Sequence, residues 1–258
     1  FTGSLYFIYK IVHTIRLAEH LKEKFPENNF VPVFFMGCED ADLDELGHIH
    51  LDGEKIAWQT DQKGAIGRMN TKGLDRIVTR IDGELSILPY GKELVSLLKA
   101  CYLDSPNVQV ATLKLLHSLF AVYGLIVFIP DNAAFKKAML PVFEDDLFNH
   151  RAHAAVQKTI GAIPPKFKVQ AQPREINLFY LRDSIRERIE RTGDEWKVVG
   201  TDIVFDEKAL RAELNAHPER FSPNVILRGV MQETLLPGIA FIGGGGEIAY
   251  WLELKGVF

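Results

Sequence analysis

Phe30-Val31-Pro32-Val33-Phe34-Phe35-Met36, followed at once by Gly37-Cys38-Glu39-Asp40-Ala41-Asp42-Leu43-Asp44-Glu45, is the stretch that decides the fold. The first part carries no charge and does not alternate between apolar and polar residues, which is how a strand buried on both faces of a parallel sheet reads. Carboxylates crowd in directly after it. In open α/β sheets ligands gather outside the carboxyl ends of the strands, so this order predicts a functional loop. Leu125-Ile126-Val127-Phe128-Ile129, closed by Pro130-Asp131-Asn132, has the same character. So does Ile239-Ala240-Phe241-Ile242, which runs into four glycines, 243–246. The three apolar runs are expected to lie in one parallel sheet, with the acidic loop and the glycines meeting at its carboxyl edge.

Around these runs the periodicity predicts a helix over residues 5–25, where Ile8, Ile11, Val12, Ile15, Ala18 and Leu21 recur at helical spacing. Further helices are expected over 92–100, 108–123, 133–161, 207–216, 223–235 and from Glu247 onward. Short strands are expected at 48–51, 55–58, 176–181 and 196–199, with Pro164-Pro165 as a boundary. Residues 48–85 otherwise read as irregular. The pattern divides the chain into a first core part (1–60), an insert (61–107), a return to the core (108–132), a connective insert (133–200) and a final core part with the glycine loop (201–258).

The chain has 258 residues, 47% hydrophobic and 25% charged, enough to bury a sizeable core, and a net charge of -4. That balance shows no basic excess of the kind a duplex nucleic-acid surface carries, and leaves only a local basic groove open. No apolar run approaches the ~18 residues of a membrane helix. Two cysteines, Cys38 and Cys101, give no disulfide framework, so a reducing, cytoplasmic setting is expected. The first residue is Phe1 rather than Met, and the last is Phe258, just after a strong helix. A fragment of a longer chain, with sequence missing at both ends, is therefore expected.

Four elements are candidates for a site. In the acidic loop, Asp40 or Asp42 could meet magnesium or a substrate amine, with His48 as acid/base or phosphate contact. The bland reading is a solvated helix N-terminus, which favours Asp and Glu. The glycines could let backbone N–H groups approach an anion at a helix start, or be a tight turn with Glu247 as the cap. After Ser222 as N-cap and Pro223 at the first helical position, Asn224, Arg228 and Gln232 share one face of an otherwise apolar helix. They line a site or face water. Arg174 could grip a carboxylate or phosphate, or pair with Glu175, and Asn177 in an apolar strand needs partners if buried.

Several of these stretches together resemble one family: Phe1-Thr2-Gly3-Ser4-Leu5-Tyr6, Val33-Phe34-Phe35-Met36-Gly37-Cys38-Glu39-Asp40, Pro173-Arg174-Glu175-Ile176-Asn177-Leu178-Phe179-Tyr180, Ser222-Pro223-Asn224-Val225, Leu227-Arg228, and the glycines with Glu247-Ile248-Ala249-Tyr250-Trp251. The resemblance, running from the first residue to the last, is to the cysteine-adding ligases of bacillithiol biosynthesis. It implies a Rossmann-like core similar to class I aminoacyl-tRNA synthetases, inserted connective segments, and a C-terminal coiled coil beyond Phe258 that supports a homodimer. It implies an amide-forming reaction between cysteine and glucosaminyl malate, with ATP as the activator and magnesium as a candidate ion. On that reading Thr2, Gly3, Gly244, Gly245 and Glu247 hold the nucleotide. Asp40, Asp42 and His48 contact the reacting groups, and Arg174, Asn177, Arg228 and Gln232 position carboxylates or phosphates. The family's Thr-Gly-Gln-Gln loop, which precedes Phe-Thr-Gly, is missing here. Ala41 stands where the family's loop usually has His, in Glu-Asp-His-Asp. The alternatives are a synthetase-like nucleotide or tRNA binder, against which the absence of a basic excess weighs, and a non-catalytic relative, for which Ala41 is the hint.

Overall fold

A computed structural model describes residues 5–258. They fall into two compact units that meet in sequence between Pro130 and Asp131, and each is described by itself.

The first unit opens with α1 (Leu5–Lys24), which buries Phe7, Ile11 and Ile15 at four-residue spacing. Lys22 closes the helix by donating from Nζ to the carbonyls of Pro26 (2.7 Å) and Asn28 (3.0 Å), the favourable place for a cation. Then follow β1 (Val33–Phe35), the single-turn α2 (Leu43–Leu46), and a hairpin of β2 (His48–Leu51) and β3 (Glu54–Ala57). Asp52 and Gly53 make its two-residue turn at φ 49° and 84°, the left-handed pair that matches strand twist. Three helices come next, α3 (Leu74–Leu85), α4 (Gly91–Tyr102) and α5 (Val108–Phe120), before β4 (Ile126–Phe128).

β1 and β4 pair in parallel, with Val33 opposite Ile126, Phe34 opposite Val127 and Phe35 opposite Phe128. The Met36 N–H extends the ladder to the Phe128 carbonyl at 2.9 Å. Phe34 and Val127 pack on the cluster of Phe7, Ile11, Ile15, Leu116 and Phe120, supplied by α1 and α5. Phe7 meets Phe34 edge to face at 5.2 Å. Helices and a parallel pair make this the expected α/β, Rossmann-like arrangement, and the acidic loop leaves the carboxyl end of β1.

The second unit begins with α6 (Ala133–Ala138), α7 (Leu140–Phe148) and α8 (Arg151–Ala162), where the sequence suggested helix throughout. Then come β5 (Leu178–Arg182), β6 (Ile185–Thr192), β7 (Glu195–Val198), β8 (Val204–Asp206), α9 (Glu207–Ala216), β9 (Phe221–Pro223), α10 (Val225–Leu235) and α11 (Gly245–Glu253). The strands form an antiparallel sheet in the order β8-β7-β6-β5-β9. Its core packs Leu178, Tyr180, Ile189, Trp196 and Phe221 against Phe143 and Leu147 of α7 and Leu210 and Leu214 of α9. Trp196 satisfies its indole N–H on the Leu147 carbonyl at 3.1 Å, as a buried indole must.

Three expectations are corrected. Residues 239–242 are not a strand, so the parallel sheet among the described residues holds two of the three apolar runs. An apolar run becomes a strand only where a ladder receives it. Here Phe241 instead stacks on Trp251, with ring centroids 3.9 Å apart and planes at 7°, while Ile239 is 72% exposed. Next, Ser222 and Pro223 belong to β9, and the N-cap of α10 is Asn224, whose Oδ1 accepts from the Ile226 N–H at 2.8 Å. Finally, α3 lies inside the stretch that reads as irregular.

Two substitutions test the packing. Leu116→Ala, at a fully buried position, should cost roughly 2–5 kcal/mol in urea unfolding. Ile239→Ala should change stability by less than about 0.5 kcal/mol. A loss at Ile239 as large as that at Leu116 would return residues 239–242 to the core.

Candidate functional site

In the first unit, the loop after β1 is pinned to the segment 65–67. The Gly67 N–H donates to the Cys38 carbonyl (2.8 Å) and the Ile66 N–H to the Asp40 carbonyl (2.7 Å). Gly67 is required by this approach, since a Cβ there would lie 2.6 Å from the Cys38 Cβ. Cys38 and Glu39 are buried, and Asp40 is half-buried. Asp42 caps α2, its Oδ1 accepting from the Glu45 N–H at 3.0 Å, with Asp44 and Glu45 in the first turn. Part of the loop's negative charge thus sits where a helix start favours it. Ala41 lies between Asp40 and this cap. His48 opens β2, and its ring stands edge to face with His50 at 5.2 Å. Among the described residues, no three His, Cys, Asp or Glu side chains gather as a metal site. Thr2 and Gly3 lie outside the described residues.

In the second unit, the glycines lead into α11. The Gly244 N–H donates to the Glu247 carboxylate at 2.7 Å, so the N3 side chain reaches back to the cap residue and holds the first turn. Gly245 and Gly246 are exposed, and a Cβ on either would meet nothing within 4 Å. The backbone there is open to an approaching group. Gly243 is crowded instead: a Cβ would come within 2.7 Å of the Phe241 ring.

Asn177 is buried, and its groups are engaged within the protein. Its backbone N–H donates to Asp146 Oδ2 (2.6 Å) and its Nδ2 to Asp146 Oδ1 (3.0 Å) and to the Arg174 carbonyl (2.9 Å). Its Oδ1 accepts from the Arg174 N–H and from Asn224 Nδ2, both at 3.1 Å. Its carbonyl accepts from the Asn224 N–H at 2.9 Å. One side chain therefore ties α7, the turn before β5 and the start of α10 together. The Arg174 guanidinium is exposed and lies 4.0 Å from Glu190, while Glu175 faces His150 at 3.5 Å. Arg228 and Gln232 are half-buried on α10, and Gln232 Nε2 reaches Glu233 at 3.2 Å. The polar face of that helix thus begins at its own cap, Asn224.

Sequence reasoning missed Asp146. Burial pushes its carboxyl up to about 7, against the hydrogen bonds from Asn177 that lower it, and neighbouring Asp145 adds to the rise. The available signal was its place three residues after Phe143, on the buried face of α7. Glu253 was missed too: it is buried, and its two oxygens accept the N–H groups of Gln170 (2.7 Å) and Ala171 (3.0 Å).

Asp146 gives a signed pH dependence. Its folded pKa of about 7 lies above the ordinary 3.8, so its stabilising contribution is complete below the unfolded value and is lost as pH rises through the folded one. In Asp146→Asn that loss disappears. The wild-type protein's stability relative to the variant should fall between about pH 4 and pH 7.5, as read by urea unfolding. A difference independent of pH would contradict the assignment.

The family model described as "Bacillithiol biosynthesis BshC, N-terminal Rossmann-like domain" matches residues 1–258. A protein of Flavobacterium psychrophilum named "Putative cysteine ligase BshC" is 44% identical over 258 residues, covering 100% of this chain and 48% of the relative. One of Flavobacterium johnsoniae with the same name is also 44% identical, covering 100% of this chain and 49% of the relative. A third so named, from Salinibacter ruber, is 33% identical over 269 residues, covering 100% of this chain and 49% of the relative. The chain spans about half the length of the curated relatives it matches. With the whole of the chain matched, it belongs to the BshC family of bacillithiol biosynthesis, and the domain matched is the family's N-terminal Rossmann-like domain.

Proposed function

We propose that the complete protein is a ligase that joins the carboxyl of cysteine to the amine of glucosaminyl malate, the last step of bacillithiol biosynthesis. The observation that carries this reading is the match to the family over the whole chain, with relatives named as cysteine ligases. Amide formation from a free acid needs the carboxyl oxygen turned into a leaving group. ATP supplies that, through an adenylate or an acyl phosphate. Open backbone at Gly245 and Gly246, at the start of α11, fits a phosphate approaching a helix N-terminus. Thr2, Gly3, Gly244, Gly245 and Glu247 are the proposed nucleotide residues, with Glu247 acting through its hold on Gly244. Asp40, Asp42 and His48 are proposed to meet the reacting groups. Arg174, Arg228 and Gln232 would position carboxylates or phosphates, with Asn177 setting the turn that carries Arg174. Asp40 or Asp42 is the candidate carboxylate for magnesium, an ion that takes one or two protein carboxylates beside the phosphates of its substrate. Cytoplasmic location and a homodimer through a C-terminal coiled coil complete the proposal; no described helix is long and apolar enough to cross a membrane.

The attacking amine must be neutral, so a carboxylate, an imidazole or water has to take its proton. His48 is the imidazole nearest in sequence to Ala41. Activity is therefore expected from the Ala41 enzyme, and Ala41→His should change the rate by less than about tenfold, with no new limb in the pH–rate profile. A gain of ~10²–10⁴-fold with a limb near pH ~6.5 would show that a catalytic base had been absent. Arg228→Ala should weaken binding of the nucleotide or of glucosaminyl malate by about 2 kcal/mol, the scale of a charge-assisted hydrogen bond. Unchanged affinity for both in calorimetric titration would make Arg228 structural. The overall test is mass spectrometry of the complete enzyme with ATP, cysteine and glucosaminyl malate. The thiol product is expected, formed only when all three are present. Its absence would refute the ligase reading.

A further inference from the structure

His150 joins α7 to α8 with φ 55° and ψ 29°, a left-handed backbone that residues other than glycine seldom adopt, with Asn, Asp and His the commonest exceptions. Such a conformation persists where its surroundings hold it. Here the ring turns to two carbonyls: Nδ1 lies 3.0 Å from the oxygen of Asp146 and 2.9 Å from that of Glu175. A carbonyl oxygen only accepts, so Nδ1 carries the proton and shares it between α7 and the turn before β5. Nε2 is buried without a hydrogen-bond partner among the described residues, with the Glu175 carboxylate 3.5 Å away. Arg174 stands next to Glu175 in that turn. The turn is thus held from two sides. The Asn177 side chain takes the Arg174 N–H and carbonyl, and His150 takes the Glu175 carbonyl. The Arg174 guanidinium itself is exposed, with Glu190 4.0 Å away, so its direction is set from the backbone behind it.

The geometry points to His150 as a positioning residue: by sharing its Nδ1 proton between two carbonyls, it fixes the turn from which Arg174 reaches an anionic group of the substrate. This role rests on the anion grip of Arg174 in the proposed ligase and adds to it the residue that sets that grip. His150 touches no substrate; it acts through Arg174. Two substitutions separate its hydrogen bond from its backbone. Glycine suits the left-handed conformation and removes the donor. Asparagine also tolerates it, and its Nδ2, bonded to Cγ as the imidazole Nδ1 is, restores a donor at nearly the same place.

The test is steady-state kinetics of the complete enzyme, with KM read for glucosaminyl malate and for ATP, together with 15N NMR of the His150 ring. His150→Gly should raise KM for the substrate that Arg174 grips by roughly tenfold, the worth of one hydrogen bond. It should leave kcat nearly unchanged, the mark of lost binding rather than lost chemistry. His150→Asn should return KM close to the wild-type value. In an Arg174→Ala background His150→Gly should add nothing, because residues that act through one another do not add. In the spectrum the neutral ring should carry its proton on Nδ1. That measurement needs no variant, so it judges the clamp even where a substitution unfolds the chain. A proton on Nε2, an unchanged KM in folded His150→Gly, no rescue by asparagine, or an equal loss with and without Arg174 would overturn the inference. Absence of product from the wild-type enzyme would instead refute the ligase reading and the substrate role with it, and the Nδ1 proton would then decide the clamp.

Discussion

Strands of three residues make few hydrogen bonds of their own, so the parallel pairing of Val33–Phe35 with Ile126–Phe128 rests on what covers it. Burial of Phe34 and Val127 beneath α1 and α5 provides that cover, and apolar burial is worth roughly 25 cal/mol per Å2. The register then fixes where the chain must turn. Met36 takes the last ladder bond, and the residues after it leave the sheet at its carboxyl edge. Everything about the acidic loop follows: Cys38 and Asp40 dock their carbonyls on the segment 65–67, and Asp42 starts α2. The loop is a held structure, fixed by its own backbone contacts and by the Asp42 cap.

The second unit is organised differently. Its antiparallel sheet supplies an apolar core, but the geometry at one end depends on buried polar groups. Asp146 receives two hydrogen bonds from Asn177, and Asn177 in turn holds the Arg174 turn and the cap of α10. Such networks stabilise when every member is satisfied and are costly when one is not. Removing Asp146 would therefore be felt at Arg174 and Asn224, although it belongs to neither segment. Glu253 plays a similar part, tying α11 to the backbone at Gln170 and Ala171.

The two paired strands could be read from the sequence because their apolar character is continuous and each is bounded by turn residues. The expected burial on both faces is not found: Val33–Phe35 are half-buried and Ile126 is 51% exposed, because a two-stranded sheet leaves one side of each strand uncovered. Residues 239–242 have the same composition and are not a strand, because composition does not say which neighbour receives the run; Trp251 takes Phe241 instead. The helix at Leu74–Leu85 escaped because glycines and charges break up its surface, although Leu74, Ile77, Val78 and Ile81 keep helical spacing. Among the candidate residues, the need of Asn177 for partners was legible from its type and setting. Its partner was not: Asp146 lies 31 residues away, and an Asp pair within a helix ordinarily reads as a solvated face. Asn224 looked like the first member of a polar stripe and is a cap, because Ser222 and Pro223 are taken up by pairing with β5.

The proposed ligase reaction has the cysteine carboxyl activated at the expense of ATP before the amine attacks. Cysteine labelled with 18O in both carboxyl oxygens tests it directly in the complete enzyme with glucosaminyl malate. One labelled oxygen should leave in the phosphorus-containing product, in AMP for an adenylate or in inorganic phosphate for an acyl phosphate, while the other stays in the new amide. Amide product whose formation leaves AMP and phosphate both unlabelled would contradict the account.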